Sequence, residues 1–158
     1  MNRAIRQFIS GDGANLIATI DTVCGEGRWM STPRYEPTPT WTHALGQADC
    51  IRHSLLVVEV NHAIVGWCRL FSDRPCNGFQ SEASLGIGLL PPHRDMGIGT
   101  ALVRESLDWA FSVGISSVTL STRTDNARAI RVFEKCGFGP TGHTSEGLLE
   151  MECKLRSP

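Results

Sequence analysis

Alternating runs of hydrophobic and polar positions predict strands in the first half of the chain. A first strand is predicted over 3–9, and a helix that begins near Asp12 follows it to about Cys24. The apolar runs 55–60 and 63–68 flank the pair Asn61-His62, which predicts a tight β-hairpin. The segment between these elements is rich in proline and has no clear period, so we expect a loop there, with a short helix from Thr40.

The second half of the chain alternates between strands and amphipathic helices. Apolar residues recur at helical spacing over about 97–113 and 126–136, with Gly114 and Gly137 suited to end the two helices. Runs typical of strands lie at 82–90, 118–121 and 148–155. The strand-helix-strand order over 82–121 predicts a parallel strand pair joined by a crossover.

Composition narrows the class of protein. With 158 residues, 41% hydrophobic, we expect one domain over 1–158. Fifteen basic and sixteen acidic side chains give a formal net charge of −1, which argues against a dedicated nucleic-acid binder. The chain shows neither a secretion-signal pattern nor an apolar run near the ~20 residues of a membrane span. The expectation is a soluble cytoplasmic protein that does not bind membranes.

The cysteines do not form a recognisable framework. There are six, none in Cys-x-x-Cys spacing, and no pair of histidines completes a familiar zinc pattern. We therefore expect free thiols in a reducing compartment and no metal ion.

One segment carries a chemical signal. The strand at 82–90 ends in prolines, and Gly97-Ile98-Gly99 then opens a helix. The first turn of a helix leaves backbone N–H groups unpaired and favours anions, while glycine allows close approach. Arg94 adds a positive charge and Thr100 a hydroxyl, so a phosphate-bearing ligand is predicted. A dinucleotide fingerprint would need glycine where Leu102 stands, and a plain tight turn before a core helix is the structural alternative.

Two motifs together resemble a known family. Arg94-x-x-Gly97-x-Gly99 after a proline, followed by a helix from Asn126 to Gly137-Phe138, is similar to the GNAT N-acetyltransferases. The resemblance covers essentially the whole chain and is weakest over 26–50. It implies an α/β fold with a mixed sheet of about six to seven strands, splayed between the fourth and fifth, and about four flanking helices. It also implies transfer of an acetyl group from acetyl-CoA to a primary amine by direct attack in a ternary complex.

The resemblance also assigns residues to the cofactor. Backbone groups of Ile87, Leu89 and Leu90 would hold the pantetheine arm, and Asn126 and Phe133 would contact it from the later helix. The loop around the pyrophosphate would consist of Arg94, Asp95, Met96, Gly97, Ile98, Gly99 and Thr100. Asp95 and Met96 replace a common glycine and a common basic residue, so we expect both side chains to point outward. Gly86 and Gly88 would ease approach of the arm or mark a bulge.

The catalytic residues are less clear. Many relatives carry a tyrosine acid where this chain has Phe133, so the CoA thiolate would leave without that acid; Cys136, Ser121 and water are weaker substitutes. For the general base, Glu82 is the first candidate, with Ser84 on the same side of the strand, and Glu26 is the second. For Glu82 and for Glu26 the structural alternative is an ordinary solvated residue.

The acceptor is an unidentified small molecule or peptide. Trp29, Met30, Tyr35 and Trp41 lie in the variable segment and are candidates for the wall of its site, or for packing beneath a loop. Homodimers are common in the family, and the sequence leaves open whether this chain forms one. The alternative function is a non-catalytic module that binds acyl-CoA, motivated by the missing tyrosine.

Overall fold

A single mixed sheet of seven strands organises this computed structural model, which describes residues 2–50, 52–72 and 81–156. Four helices pack on the sheet. In chain order the elements are β1 (Arg3–Gln7), α1 (Gly13–Gly25), α2 (Pro39–Gly46), β2 (His53–Val60), β3 (Ala63–Phe71), β4 (Ser81–Leu89), α3 (Ile98–Ser112), β5 (Ile115–Thr122), α4 (Ala127–Lys135), β6 (Gly139–His143) and β7 (Leu149–Lys154).

The strand order is β1-β2-β3-β4-β5-β7-β6, and β4–β5 is its parallel pair. The remaining neighbours run antiparallel. Helix α3 makes the crossover between β4 and β5, as the strand-helix-strand order predicts. The predicted fold class is therefore confirmed. At the predicted hairpin, Asn61 and His62 have φ of 50° and 69°, the left-handed backbone that a two-residue turn of this kind requires.

The parallel pair comes apart partway along its length. Residues Ser81–Ser84 of β4 pair with residues 115–119 of β5. Beyond them, β4 continues to Leu89 and β5 to Thr122, but the two strands no longer pair with each other. This is the splay expected between the fourth and fifth strands. It leaves one edge of β4 without a neighbouring strand, and the candidate site lies there.

Two apolar cores cover the two faces of the sheet. On one face, Leu102 and Val103 of α3 pack against Val118 of β5, and all three are fully buried. On the other face, Leu16 of α1 packs with Trp67 of β3, and α2 adds Ala44.

Strand β6 departs from the sequence prediction, which has no strand at 139–143. Its residues Gly139-Pro140-Thr141-Gly142-His143 are mostly exposed and show no apolar alternation. Pairing with β7 at the sheet edge makes this segment a strand. No helix of the described residues is long and apolar enough to cross a membrane.

Candidate active site

A groove of about 500 Å³ opens at the splay, between the end of β4, the start of α3 and α4. We call it the loop groove. Its lining includes Ile87, Leu89, Gly97, Gly99, Thr100 and Asn126. The structure thus brings together residues that the sequence predicted for the cofactor from three separate segments.

The floor of the loop groove is the first turn of α3. Gly97 precedes this helix with φ of 80°, and the first helical hydrogen bond runs from the Ala101 N–H to the Gly97 carbonyl at 3.2 Å. The N–H groups of Ile98, Gly99 and Thr100 precede that bond, so the helix itself offers them no partner. This is the arrangement that favours an anion.

Met96 lies outside the groove lining, whereas Asp95, which was also expected to point outward, is one of the lining residues. The Met96 residue is 45% exposed. The Asp95 side chain is 64% exposed and pairs with Arg128 of α4 at 3.0 Å. This pairing offsets the negative charge that Asp95 places beside an anion site.

Arg94 is held by a dense set of contacts. Its Nε donates to the Leu89 carbonyl at 2.9 Å, and its Nη1 and Nη2 donate to the two carboxylate oxygens of Glu26 at 2.9 and 2.5 Å. The guanidinium keeps the pKa of Glu26 below its ordinary value. These contacts link the end of α1 to the end of β4, and the carboxylate of Glu26 offsets the positive charge of Arg94.

Helix α4 supplies the opposite wall. The Asn126 side chain caps it by accepting from the Ala129 N–H at 3.3 Å. Phe133 is buried, with its ring centroid 5.8 Å from that of Phe138. Sequence analysis missed the basic residues Arg128, Arg131 and Lys135, which also line the groove. Their spacing of three and four residues on one helix face is the signal that would have found them.

The backbone at the end of β4 is partly occupied. The Leu90 N–H donates to the Val65 carbonyl, and the Leu90 carbonyl accepts from the His93 N–H, both at 2.9 Å. Leu90 is absent from the groove lining and packs against the apolar cores. Of the three predicted strand residues, Ile87 and Leu89 face the groove.

A second pocket of about 440 Å³ lies beside the first, and we call it the aromatic pocket. Three of the four residues predicted for the acceptor line it, namely Met30, Tyr35 and Trp41, whereas Trp29 lines the loop groove. The Trp41 ring makes edge contacts with Tyr35 and with Phe71, at centroid distances of 5.7 and 5.0 Å. Met30 and Ile87 line both pockets, so the pockets meet there.

Arg69 of β3 is the most unusual lining residue of the aromatic pocket. Its guanidinium lies 4.8 Å from the centre of the Phe71 ring, and its Nη1 is 3.4 Å from both Oγ and the carbonyl oxygen of Ser84. Burial lowers its pKa. Among the described residues, no carboxylate forms an ion pair with it. The pocket therefore holds a half-buried cation that forms no ion pair with a carboxylate among the described residues.

Gly86 and Gly88 make room for side chains of β3. A Cβ on Gly86 would lie 2.7 Å from Nε of Arg69, and one on Gly88 would lie 2.3 Å from the Trp67 ring. The register between β3 and β4 runs without a shift across both glycines, so neither marks a bulge.

The two base candidates on β4 are placed differently. Ser84 lines the aromatic pocket. Glu82 is exposed and lies two residues earlier on the same face, about 7 Å along the strand. It lines neither pocket.

Comparison with known proteins gives a consistent result. The family model described as "Acetyltransferase (GNAT) family" matches residues 17–138. A spermidine N(1)-acetyltransferase of Vibrio cholerae is 28% identical over 99 residues, which make up 62% of this chain and 56% of that protein. The chain spans between 14% and 56% of the length of the curated relatives that it matches.

Solved structures share the fold across nearly the whole chain. An acetyltransferase of the GNAT family from Streptococcus pneumoniae superposes with a TM-score of 0.83 at 20% identity, covering 98% of this chain and 100% of that one. The protein yncA of Salmonella typhimurium, solved with its cofactor acetyl-CoA, gives a TM-score of 0.83 at 19% identity, covering 99% of this chain and 95% of that one.

The Glu26–Arg94 pair predicts a pH-dependent stability. Because the folded-state pKa of Glu26 is depressed, the pair stabilises the fold fully above the unfolded pKa, near 4.5, and this contribution is lost as the pH falls through the folded pKa. Glu26→Gln should lower the free energy of unfolding by about 1–2 kcal/mol at neutral pH. The difference should shrink below about pH 4.5. Urea unfolding of both proteins across this range measures it, with Glu146→Gln as the exposed control. A difference that does not change with pH would contradict the ion pair.

Proposed function

Because the chain belongs to the GNAT family of acetyltransferases, we propose that it transfers an acetyl group from acetyl-CoA to the primary amine of a small acceptor. The observation that carries the proposal is the meeting of the loop groove and the aromatic pocket at Met30 and Ile87. A donor in the groove and an acceptor in the pocket would place thioester and amine side by side, as direct transfer requires.

The loop groove suits the donor. Acetyl-CoA carries a pyrophosphate, which matches the free N–H groups of Ile98, Gly99 and Thr100. Acetyl-CoA also carries a separate phosphate group, which cationic side chains would bind. Arg131 and Lys135 of α4 line the groove and could fill this role. The pantetheine arm would lie along the unpaired edge of β4, next to Ile87, where strand-like hydrogen bonds are free to form.

The transfer needs a neutral amine. The protonated amine loses one proton, and the neutral nitrogen forms a bond to the thioester carbonyl carbon. The carbon–sulfur bond then breaks to release the CoA thiolate, while the nitrogen gives up its second proton to solvent. Glu82 is our proposed base, acting through water because it lies outside both pockets. Ser84 is proposed to contact the acceptor. The ion pair with Arg94 makes Glu26 a positioning residue for the loop.

Release of the thiolate would need no protein acid. Phe133 has no proton to donate, and a thiol of pKa about 8.5 leaves readily as its anion. Burial raises the pKa of the Cys136 thiol, which keeps it protonated at neutral pH, but Cys136 is not part of the groove lining.

Arg69 indicates the class of acceptor. A half-buried guanidinium with no carboxylate partner among the described residues favours a ligand that brings its own anionic group. The lining of the aromatic pocket contains two cationic side chains, Arg69 and Arg34, and one carboxylate, that of Glu36. We therefore propose an acceptor with both an amine and a carboxylate, such as an amino acid, in preference to a polyamine.

Many relatives carry a tyrosine acid at the position of Phe133. Its absence favours the alternative function, a module that binds acyl-CoA without catalysis. Thermal stabilisation by acetyl-CoA, combined with a thiol-release assay over amines, separates the two. Binding with no turnover on any amine would favour the module, and the absence of acetyl-CoA binding would contradict both functions.

Gly99→Glu tests the loop groove. The added carboxylate should weaken acetyl-CoA binding by more than about 100-fold, because like charges about 4 Å apart repel by about 4 kcal/mol at an effective dielectric constant near 20. Titration calorimetry measures the affinity. Ala101→Glu adds the same charge to an exposed position of α3 and should retain binding. Equal affinities in the two variants would show that phosphate binds elsewhere.

Glu82→Gln tests the base. The rate should fall by about 100-fold or more, since general bases contribute about that much, and the loss should be greatest at low pH, where more of the amine is protonated. The measurement is kcat/KM against pH, with Glu105→Gln on the exposed face of α3 as control. A pH profile that coincides with that of the wild type would reject Glu82.

Arg69→Met tests the acceptor class. The comparison uses α-amino acids and the amines that they give on decarboxylation, so each pair differs by one carboxylate. The preference for the acid in kcat/KM should drop by about 10- to 100-fold in the variant, equivalent to losing a charge-assisted hydrogen bond of about 1.5–3 kcal/mol. Arg69→Lys, which keeps the charge, should retain part of the preference. A wild-type enzyme that prefers the decarboxylated amines would contradict the proposal.

A further inference from the structure

Three potential metal ligands converge beside the aromatic pocket. His43 lies in the last turn of α2, Cys50 in the following loop, and His53 at the first position of β2. One ligand atom from each lies within 4.8 Å of the other two, and His43 Nε2 is 3.3 Å from Cys50 Sγ. We call these residues the His-Cys-His cluster.

The state of His53 is hard to explain by packing alone. The residue is 7% exposed, and both its ring nitrogens are buried without a hydrogen-bond partner among the described residues. Its ring makes edge contacts with His43 and Phe71, which satisfy neither nitrogen. A buried polar group left unpaired costs about 1–3 kcal/mol. A bound cation would give one of these nitrogens its partner.

We propose that the His-Cys-His cluster binds a zinc ion. Two imidazoles and a thiolate are ligands that zinc prefers, at about 2.0–2.1 Å for nitrogen and about 2.3 Å for sulfur. Around one tetrahedral ion such ligand atoms lie roughly 3.3–3.8 Å apart, so small side-chain movements would close the site. On binding, the Cys50 thiol loses its proton to solvent. A water molecule would complete the coordination on the side of the exposed His43.

The position of the cluster suggests what the ion does. Trp41 lies two residues before His43 on α2, and its ring contacts Phe71. Phe71 is also the strand partner of His53 across β2 and β3. A zinc ion would therefore fasten the end of α2 to the sheet and fix Trp41 in the wall of the aromatic pocket. In this proposal the ion joins two elements of the fold, and the proposal departs from the expectation that the chain binds no metal.

Metal titration of the full chain tests the site directly. Protein stripped with a chelator should bind one equivalent of Zn²⁺, and Co²⁺ in its place should produce the near-ultraviolet charge-transfer band of a thiolate ligand. Cys50→Ser should abolish the band. His43→Ala should weaken Zn²⁺ binding by more than about tenfold, since substitutions even outside the ligand set cost about 10- to 100-fold. Cys136→Ser and His143→Ala are the controls, at equally accessible positions outside the cluster.

The competing explanation is a simple thiol–imidazole hydrogen bond between Cys50 and His43. In that case the wild type binds no stoichiometric Zn²⁺, or His43→Ala and His143→Ala bind it equally, and either result overturns the proposal. Stability gives a second readout, because a ligand of the folded state alone raises the unfolding midpoint. Zn²⁺ should raise the midpoint of the wild type and not that of His43→Ala. None of these measurements depends on acetyl transfer, so they stand apart from the proposed function.

Discussion

The loss of pairing between β4 and β5 after Ser84 is the constraint on which the site depends. A parallel pair that continued would bury the edge of β4 and leave no groove. Because it stops, one edge of β4 beyond Ser84 has no neighbouring strand, although the Leu89 carbonyl at its end accepts from Arg94, and the first turn of α3 lines the same gap. The opening also lets the aromatic pocket on one face of the sheet meet the groove at Ile87.

Charge in the groove is distributed by two ion pairs. Arg94 is committed to Glu26 and to the Leu89 carbonyl, so its main effect is to fix the loop between β4 and α3. Arg128 pairs with Asp95 and offsets the one carboxylate of the loop. Arg131 and Lys135 of α4 have no carboxylate ion-pair partner among the described residues, so in the proposed function these two cations would attract phosphate. A net charge of −1 is compatible with this local positive site.

Local patterns predicted the parts of the fold that depend on local physics. The Asn61-His62 turn, the amphipathic α3 and the glycine loop follow from turn chemistry, periodicity and helix capping. Strand β6 did not, because only its pairing with β7 makes it a strand. The position of Arg69 depends on Gly86 of the neighbouring strand, where a side chain would collide with the guanidinium. Such a contact between strands cannot be predicted from the spacing of residues along the sequence. The His-Cys-His cluster draws on α2, the following loop and β2, so only the fold brings His43 close to Cys50 and His53.

Helix α4 carries no tyrosine that could act as an acid in the groove. Phe133 packs against Phe138 in the core, so the α4 position that faces the groove offers no proton. Tyr35, the one tyrosine of the chain, lines the aromatic pocket, and burial raises the pKa of its phenol, which therefore stays neutral there. The cations and helix N–H groups of the groove are already assigned to the phosphates in the proposed function, so they do not supply an acid or a counter-charge at the thioester. In that function the thiolate would leave as its anion because a thiol of pKa about 8.5 is a good leaving group in that form.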